Sequence, residues 1–137
     1  MRITPAAAAR AFADVLAEAI EDGGAVAVQA EADDGYDLGV WSDELGAIAS
    51  NPLLVELKIS LSRQAVRQAR GLAEEHPTAR AVLLVYLDPA DPAALRDARF
   101  PVLAVSLSEL LARMRNASFA EAVRLLRSQS VHGPAAP

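Results

Sequence analysis

The sequence predicts an α/β fold, a mixed central sheet flanked by helices, and three observations carry that prediction. Short apolar strands alternate along the chain with segments of helical periodicity. The run Ala81-Val82-Leu83-Leu84-Val85-Tyr86-Leu87 is apolar without a break, as a strand buried on both faces must be. A hairpin, a third strand and a helix lead up to that run, and this order requires antiparallel and parallel pairing within one sheet.

Each element has its own signal. Thr4 followed by Pro5 reads as an N-cap with proline at the first helical position. Phe12, Val15, Leu16, Ala19 and Ile20 then fall at helical spacing until Gly23-Gly24, so the first helix covers residues 5–22. Ala25 to Ala30 is a short strand, Asp33-Asp34-Gly35 supplies turn chemistry, and Tyr36 to Trp41 alternates as a second strand. The segment 42–52 reads as a loop with room for one helical turn, and Pro52 opens a third strand from Leu53 to Ile59. Ser62 to Glu75 is helical, with Ala65, Ala69, Leu72 and Ala73 inward and His76-Pro77 as the stop. After the apolar run come a proline loop containing Asp88 and Asp91, a short helix near 93–97 and a strand from Pro101 to Val105. Ser106 with Glu109, and Ser118 with Glu121, are spaced as capping boxes for two closing helices. The order is thus α-β-β-β-α-β-β-α-α, with residues 1–127 as one domain and 128–137 as a flexible tail.

Composition narrows the function. The chain has 137 residues, 53% of them hydrophobic, with a net charge of −5. That acidity argues against non-specific coating of nucleic acid, although a local basic face can coexist with it. No apolar run reaches the ~18 residues that span a membrane. Arg2, Arg10 and Asp14 stand where a signal peptide would be apolar, so the cytoplasm is the expected compartment. There is no cysteine, and the two histidines, His76 and His132, are far apart. Any metal must therefore be held mainly by carboxylates, which favours Mg²⁺ or Mn²⁺ over zinc. Of the 13 basic residues only Lys58 is a lysine. An ammonium is a compact charge with an adjustable pKa, which a guanidinium is not.

The third strand holds the chemistry. In Leu53-Leu54-Val55-Glu56-Leu57-Lys58-Ile59, alternation puts Glu56 and Lys58 on the face of Leu54, side by side in a segment built for burial. A buried charge must be paired or metal-bound. A Glu56–Lys58 ion pair is one solution. Asp37 on the second strand offers another: with Gly39 and Trp41 on its face, it comes beside Glu56 if the two strands pair, and Gly39 leaves space there for a metal or a phosphate. Two close carboxylates repel, and a divalent cation removes the repulsion. Asp37, Glu56 and the Leu57 carbonyl are the expected ligands, and Lys58 the group that stabilises a pentavalent transition state or helps deprotonate water.

Asp37 followed 19 residues later by Glu56-Leu57-Lys58 resembles the D…(D/E)xK signature of the PD-(D/E)XK, or restriction-endonuclease-like, nuclease superfamily. The run Asp34-Gly35-Tyr36-Asp37-Leu38 is similar to the Gly-x-Asp segment of Mrr-like type IV restriction endonucleases. Tyr36 stands where the superfamily's name has proline. The resemblance implies a restriction-endonuclease-like sheet, Asp37 and Glu56 as Mg²⁺ (or Mn²⁺) ligands and Lys58 as the catalytic lysine; DNA is the expected substrate, while the residues themselves do not distinguish DNA from RNA. It also implies a supporting glutamate on the first helix, for which Glu18 and Glu21 are the candidates beside their reading as a solvated face. A lone domain has little reading surface, so a homodimer or a larger assembly is expected.

Other features are read two ways. Arg63, Arg67 and Arg70, interleaved with Gln64 and Gln68, form either a phosphate-gripping stripe or the solvated face of an amphipathic helix. Trp41 reads as core packing or a partner contact, Asp88 and Asp91 as turn formers, and His132 as a tail residue without a catalytic part. Two further functions compete with the nuclease: a non-catalytic restriction-endonuclease-like binding or assembly module, and an unrelated small α/β regulatory or immunity protein in which Glu56 and Lys58 form an ordinary ion pair.

Overall fold

A computed structural model describes residues 5–30, 36–48, 51–76, 80–87 and 90–132. The elements in chain order are α1 (Pro5–Asp22), β1 (Val26–Gln29), β2 (Leu38–Trp41), α2 (Leu45–Ile48), β3 (Leu53–Lys58), α3 (Arg63–Glu75), β4 (Val82–Tyr86), α4 (Pro92–Asp97), β5 (Val102–Ser106), α5 (Leu107–Met114) and α6 (Phe119–His132). The expectations for Thr4, Asp33-Asp34-Gly35, Pro77 and Asp88 lie outside the described residues.

The five strands form one mixed sheet in the order β1-β2-β3-β4-β5, antiparallel from β1 to β3 and parallel from β3 to β5. This is the α/β arrangement that the strand and helix order predicts. Two apolar clusters sandwich it. On one face Leu38, Val40, Leu53, Val55, Leu83, Val85, Leu103 and Val105 meet Phe12, Leu16 and Ile20 of α1, Leu45 of α2, Leu110 of α5 and Phe119 and Val123 of α6. On the other, Leu54, Val82, Leu84, Tyr86 and Val102 meet Ala65, Val66, Ala69 and Leu72 of α3 and Ala94 of α4. The alternation read from β3 therefore survives: Leu53 and Val55 belong to the α1 side and Leu54 to the α3 side. All five residues of β4 are buried, as its unbroken apolar run requires.

The caps explain where helices begin and end. α1 closes at Gly24, whose φ of +89° is open only to glycine without strain. Ser62 Oγ accepts from the Ala65 N–H at the start of α3, and His76 ends that helix. Asp91, read as a turn former, is the N-cap of α4, its carboxylate accepting from the Ala93 N–H. Ser106 and Ser118 cap α5 and α6 by accepting from the Glu109 and Glu121 N–H groups. The glutamates themselves turn along the helix to Arg113 and Arg124, so only the serine half of each capping box is used.

The C-terminal boundary needs correction. α6 runs to His132, so residues 128–132, expected as the start of a flexible tail, are helical. Ser130 Oγ also reaches the Val102 carbonyl at 3.4 Å. Residues 133–137 lie outside the described part. Among the described residues no helix is long and apolar enough to cross a membrane.

Candidate metal centre

The site forms where β2 gives out beside β3. β2 begins at Leu38, two residues later than the alternation of Tyr36, Leu38 and Val40 predicts. Leu38 is the register partner of Val55, yet the Asp37 N–H also donates to the Val55 carbonyl at 2.9 Å. Two residues thus oppose one, the count of a β-bulge, which reverses the alternation and re-aims a side chain. Tyr36 accordingly packs with the α3-side cluster and not with Leu38 and Val40. The Asp37 carboxylate, exposed to solvent, turns along the sheet, and its Oδ2 accepts the Leu57 N–H at 2.7 Å. It fills the place a β2 carbonyl would take had the strand continued. A strand residue directs its N–H and C=O the same way, so the Leu57 carbonyl leaves β3 on the Asp37 side too.

Glu56 lies on the face of Leu54, beside Leu84 of β4. It is only 7% exposed, and it is the one buried polar or charged residue among those described. Its Oε1 stands 3.9 Å from Lys58 Nζ, at the outer limit of an ion pair, and its Oε2 is buried with no hydrogen-bond partner among the described residues. Burial pushes the Glu56 carboxyl above the usual range, the Lys58 ammonium pulls it back, and the charge of Asp37 raises it further. That last effect places Asp37 within electrostatic reach of Glu56. The Glu56–Lys58 ion pair exists, but it satisfies one carboxylate oxygen loosely and the other not at all. An unsatisfied buried carboxylate oxygen is a costly feature unless something else binds it.

An additional cation would complete this group. Two carboxylates, Asp37 and Glu56, and the Leu57 carbonyl are hard oxygen donors carried by neighbouring positions of the β2–β3 pair, the donor type that Mg²⁺ or Mn²⁺ takes. Among the described residues no group of three acidic, histidine or cysteine side chains could hold a metal; Asp37 and Glu56 are two such side chains.

The structure bears on three sequence readings. The space expected over Gly39 is filled: a Cβ there would meet the Trp41 ring at 3.0 Å and the Tyr36 ring at 3.8 Å. Trp41, 40% exposed, folds back over the glycine of its own strand and takes the room reserved for a metal or phosphate. Glu18 and Glu21 are exposed, and α1 packs on the sheet face opposite Glu56, so neither supports the site. In the arginine stripe, Arg63 pairs with the Asp97 carboxylate at 3.1 Å and Arg70 donates to the Asp97 carbonyl at 2.8 Å. Both arginines anchor α3 to α4.

Sequence reading placed Gln64 and Gln68 only as fillers between arginines. They line an open cleft of about 290 Å³ that Lys58 and the β3–α3 turn also border. Their i, i+4 spacing, taken together with the nearness of Lys58 in sequence, is the signal that could have found them.

Compared with family models, with curated proteins and with solved structures, the chain finds no match.

Proposed function

We propose that the chain is a metal-dependent nuclease that hydrolyses phosphodiester bonds, DNA being the substrate, on a restriction-endonuclease-like form of the sheet described above. The observation that carries this reading is the orphaned, buried Oε2 of Glu56 beside a second carboxylate and the only lysine. Asp37 and Glu56, with the Leu57 carbonyl, would hold Mg²⁺ or Mn²⁺. When bound, such an ion acts as a Lewis acid toward the phosphodiester and lowers the pKa of water.

The remaining work belongs to the chain. The bulge at Asp37 directs its carboxylate toward Leu57, and its hydrogen bond to the Leu57 N–H holds that direction. Burial keeps Glu56 in one position. Lys58, about one-third exposed, presents its ammonium to the negative charge that accumulates on the phosphoryl oxygens as water adds to phosphorus and the ester oxygen departs. A cytoplasmic setting and a homodimer or larger assembly belong to the same proposal, because one small domain offers little surface for reading DNA.

The test is incubation of purified protein with plasmid, linear and single-stranded DNA in Mg²⁺, in Mn²⁺ and in EDTA. The expected result is metal-dependent cleavage that Asp37→Asn and Lys58→Ala each reduce by about 100-fold or more. Cleavage that survives both substitutions would overturn it. A second reading, a non-catalytic module on the same fold, is favoured by one observation: Asp37 Oδ2 already serves the backbone of β3. Under that reading titration with Mn²⁺ gives no binding that depends on Glu56.

A further inference from the structure

Lys58 belongs to two places at once. It faces Glu56 across 3.9 Å and also borders the cleft between the end of β3 and the first turns of α3. We propose that this cleft is a subsite for one unpaired nucleotide of a nucleic-acid strand, adjoining the phosphate at the carboxylates; the proposal rests on the nuclease reading of that neighbouring site.

The lining argues for this ligand. Ile59, Ser60, Ser62, Gln64 and Gln68 join Lys58 around the cleft, so the described lining carries one cation and no carboxylate. Side-chain amides both donate and accept, which matches the mixed pattern of a base edge better than the acceptor-only oxygens of a phosphate. Gln64 and Gln68 are four apart on α3 and therefore project from one side of it. Ser62 Oγ accepts from the Ala65 N–H and keeps its own proton to donate. Ile59 is 53% exposed and supplies an apolar wall.

Size and charge select an unpaired strand over a duplex. A volume of about 290 Å³ is at the bottom of the range for small-ligand pockets. It is of the order of one nucleotide unit and smaller than a stacked base pair. Duplex binding draws on many cation–phosphate contacts, whereas two of the three arginines of the α3 stripe, Arg63 and Arg70, are engaged by Asp97, which leaves Arg67 exposed. Lys58 serves the phosphate, and neutral groups serve the base.

The experiment measures binding apart from cleavage. A short fluorescein-labelled DNA strand and the duplex of the same sequence are titrated with protein by fluorescence anisotropy, in EDTA and in Ca²⁺. The strand should bind more tightly than the duplex. The Gln64→Ala/Gln68→Ala double variant should weaken strand binding about tenfold, with circular dichroism and urea midpoint unchanged. Gln68→Glu, which puts a carboxylate in the cleft, should weaken it further. Binding that ignores both variants, a preference for duplex, or no binding by the unaltered protein overturns the subsite. Glutamine-dependent strand binding without cleavage in any metal keeps the subsite and defeats the nuclease; cleavage indifferent to the glutamines keeps the nuclease and defeats the subsite.

Discussion

β3 and β4 lie side by side in the middle of the sheet, run parallel and begin with the same kind of buried aliphatic residues, yet they end differently. Glu56 stands beside Leu84 and Lys58 beside Tyr86. Along β4 every residue is buried and apolar up to Tyr86; along β3 the last three positions carry a carboxylate, a leucine whose N–H is taken by a side chain, and an ammonium. The helix that covers both strands is the same one, α3. The difference shows that the fold tolerates a fully apolar strand in this environment, so the charges of β3 are not a requirement of the architecture. They are a local departure from it, made where β2 ends and a bulge brings in a second carboxylate. Departures of this kind mark function more often than they mark stability.

Moving a charge from β3 to β4 has the largest expected effect. Leu84→Glu places a third carboxylate next to Glu56, fully buried and without a cation of its own. It should remove about 4 kcal/mol or more of stability and abolish a cooperative urea transition. A folded variant with a near-normal midpoint would mean that the α3 side of the sheet accepts charge anywhere, and β3 would lose its distinction.

A smaller effect separates the two roles of Asp37. Asp37→Ala removes the acceptor for the Leu57 N–H and should cost about 1 kcal/mol in urea unfolding. Asp37→Asn keeps an acceptor and should cost less. If the carboxylate serves a metal, both variants lose Mn²⁺ binding by calorimetry; if it serves only the backbone, Asp37→Asn resembles the unaltered protein in every assay.

Glu56→Gln sharpens the contrast from the other side. It removes a buried charge whose Oε2 has no described partner, so in EDTA the variant should be more stable by about 1 kcal/mol, while Mn²⁺ binding is lost. Destabilisation in EDTA would show that the Glu56–Lys58 ion pair holds the strand together.

The smallest expected effect is on pH dependence, and its sign is fixed. The Glu56 carboxyl is raised in the folded state, so the native protein holds that proton to higher pH than the unfolded chain does. Its contribution to stability is complete below the unfolded carboxylate range and falls as pH rises through the native value. Urea midpoints of the unaltered protein in EDTA, measured against Glu56→Gln over that window, should therefore drop as pH increases and level off above it. A difference that rises with pH would show that Glu56 is stabilised as a charge.

Much of this arrangement was legible in the residues. The apolar run of β4, the alternation of β3 and the serine caps of α5 and α6 are local patterns, and local patterns follow from short-range spacing along strand and helix. Glu56 and Lys58 were legible for the same reason, being two apart on one strand. Less legible was everything that depends on how strands meet. The bulge at Asp37 is invisible in sequence because its count is made against Val55. Trp41 closing over Gly39 depends on a rotamer that no alternation pattern states. The engagement of Arg63 and Arg70 by Asp97 joins residues far apart in the chain, and the helical stripe alone left their role open.

By itself, then, the amino-acid order determined which segments become strands and helices, which strand would be wholly apolar, and that one strand carries a carboxylate and the sole lysine on a single face. Only the tertiary structure decided that Asp37 aims along the sheet toward Leu57, that the first-helix glutamates lie across the sheet from Glu56, and that two glutamines border the cleft at Lys58. The physical reason is range: propensity and periodicity act over a few neighbouring residues, whereas these placements are set by strand register and helix packing between residues distant in sequence.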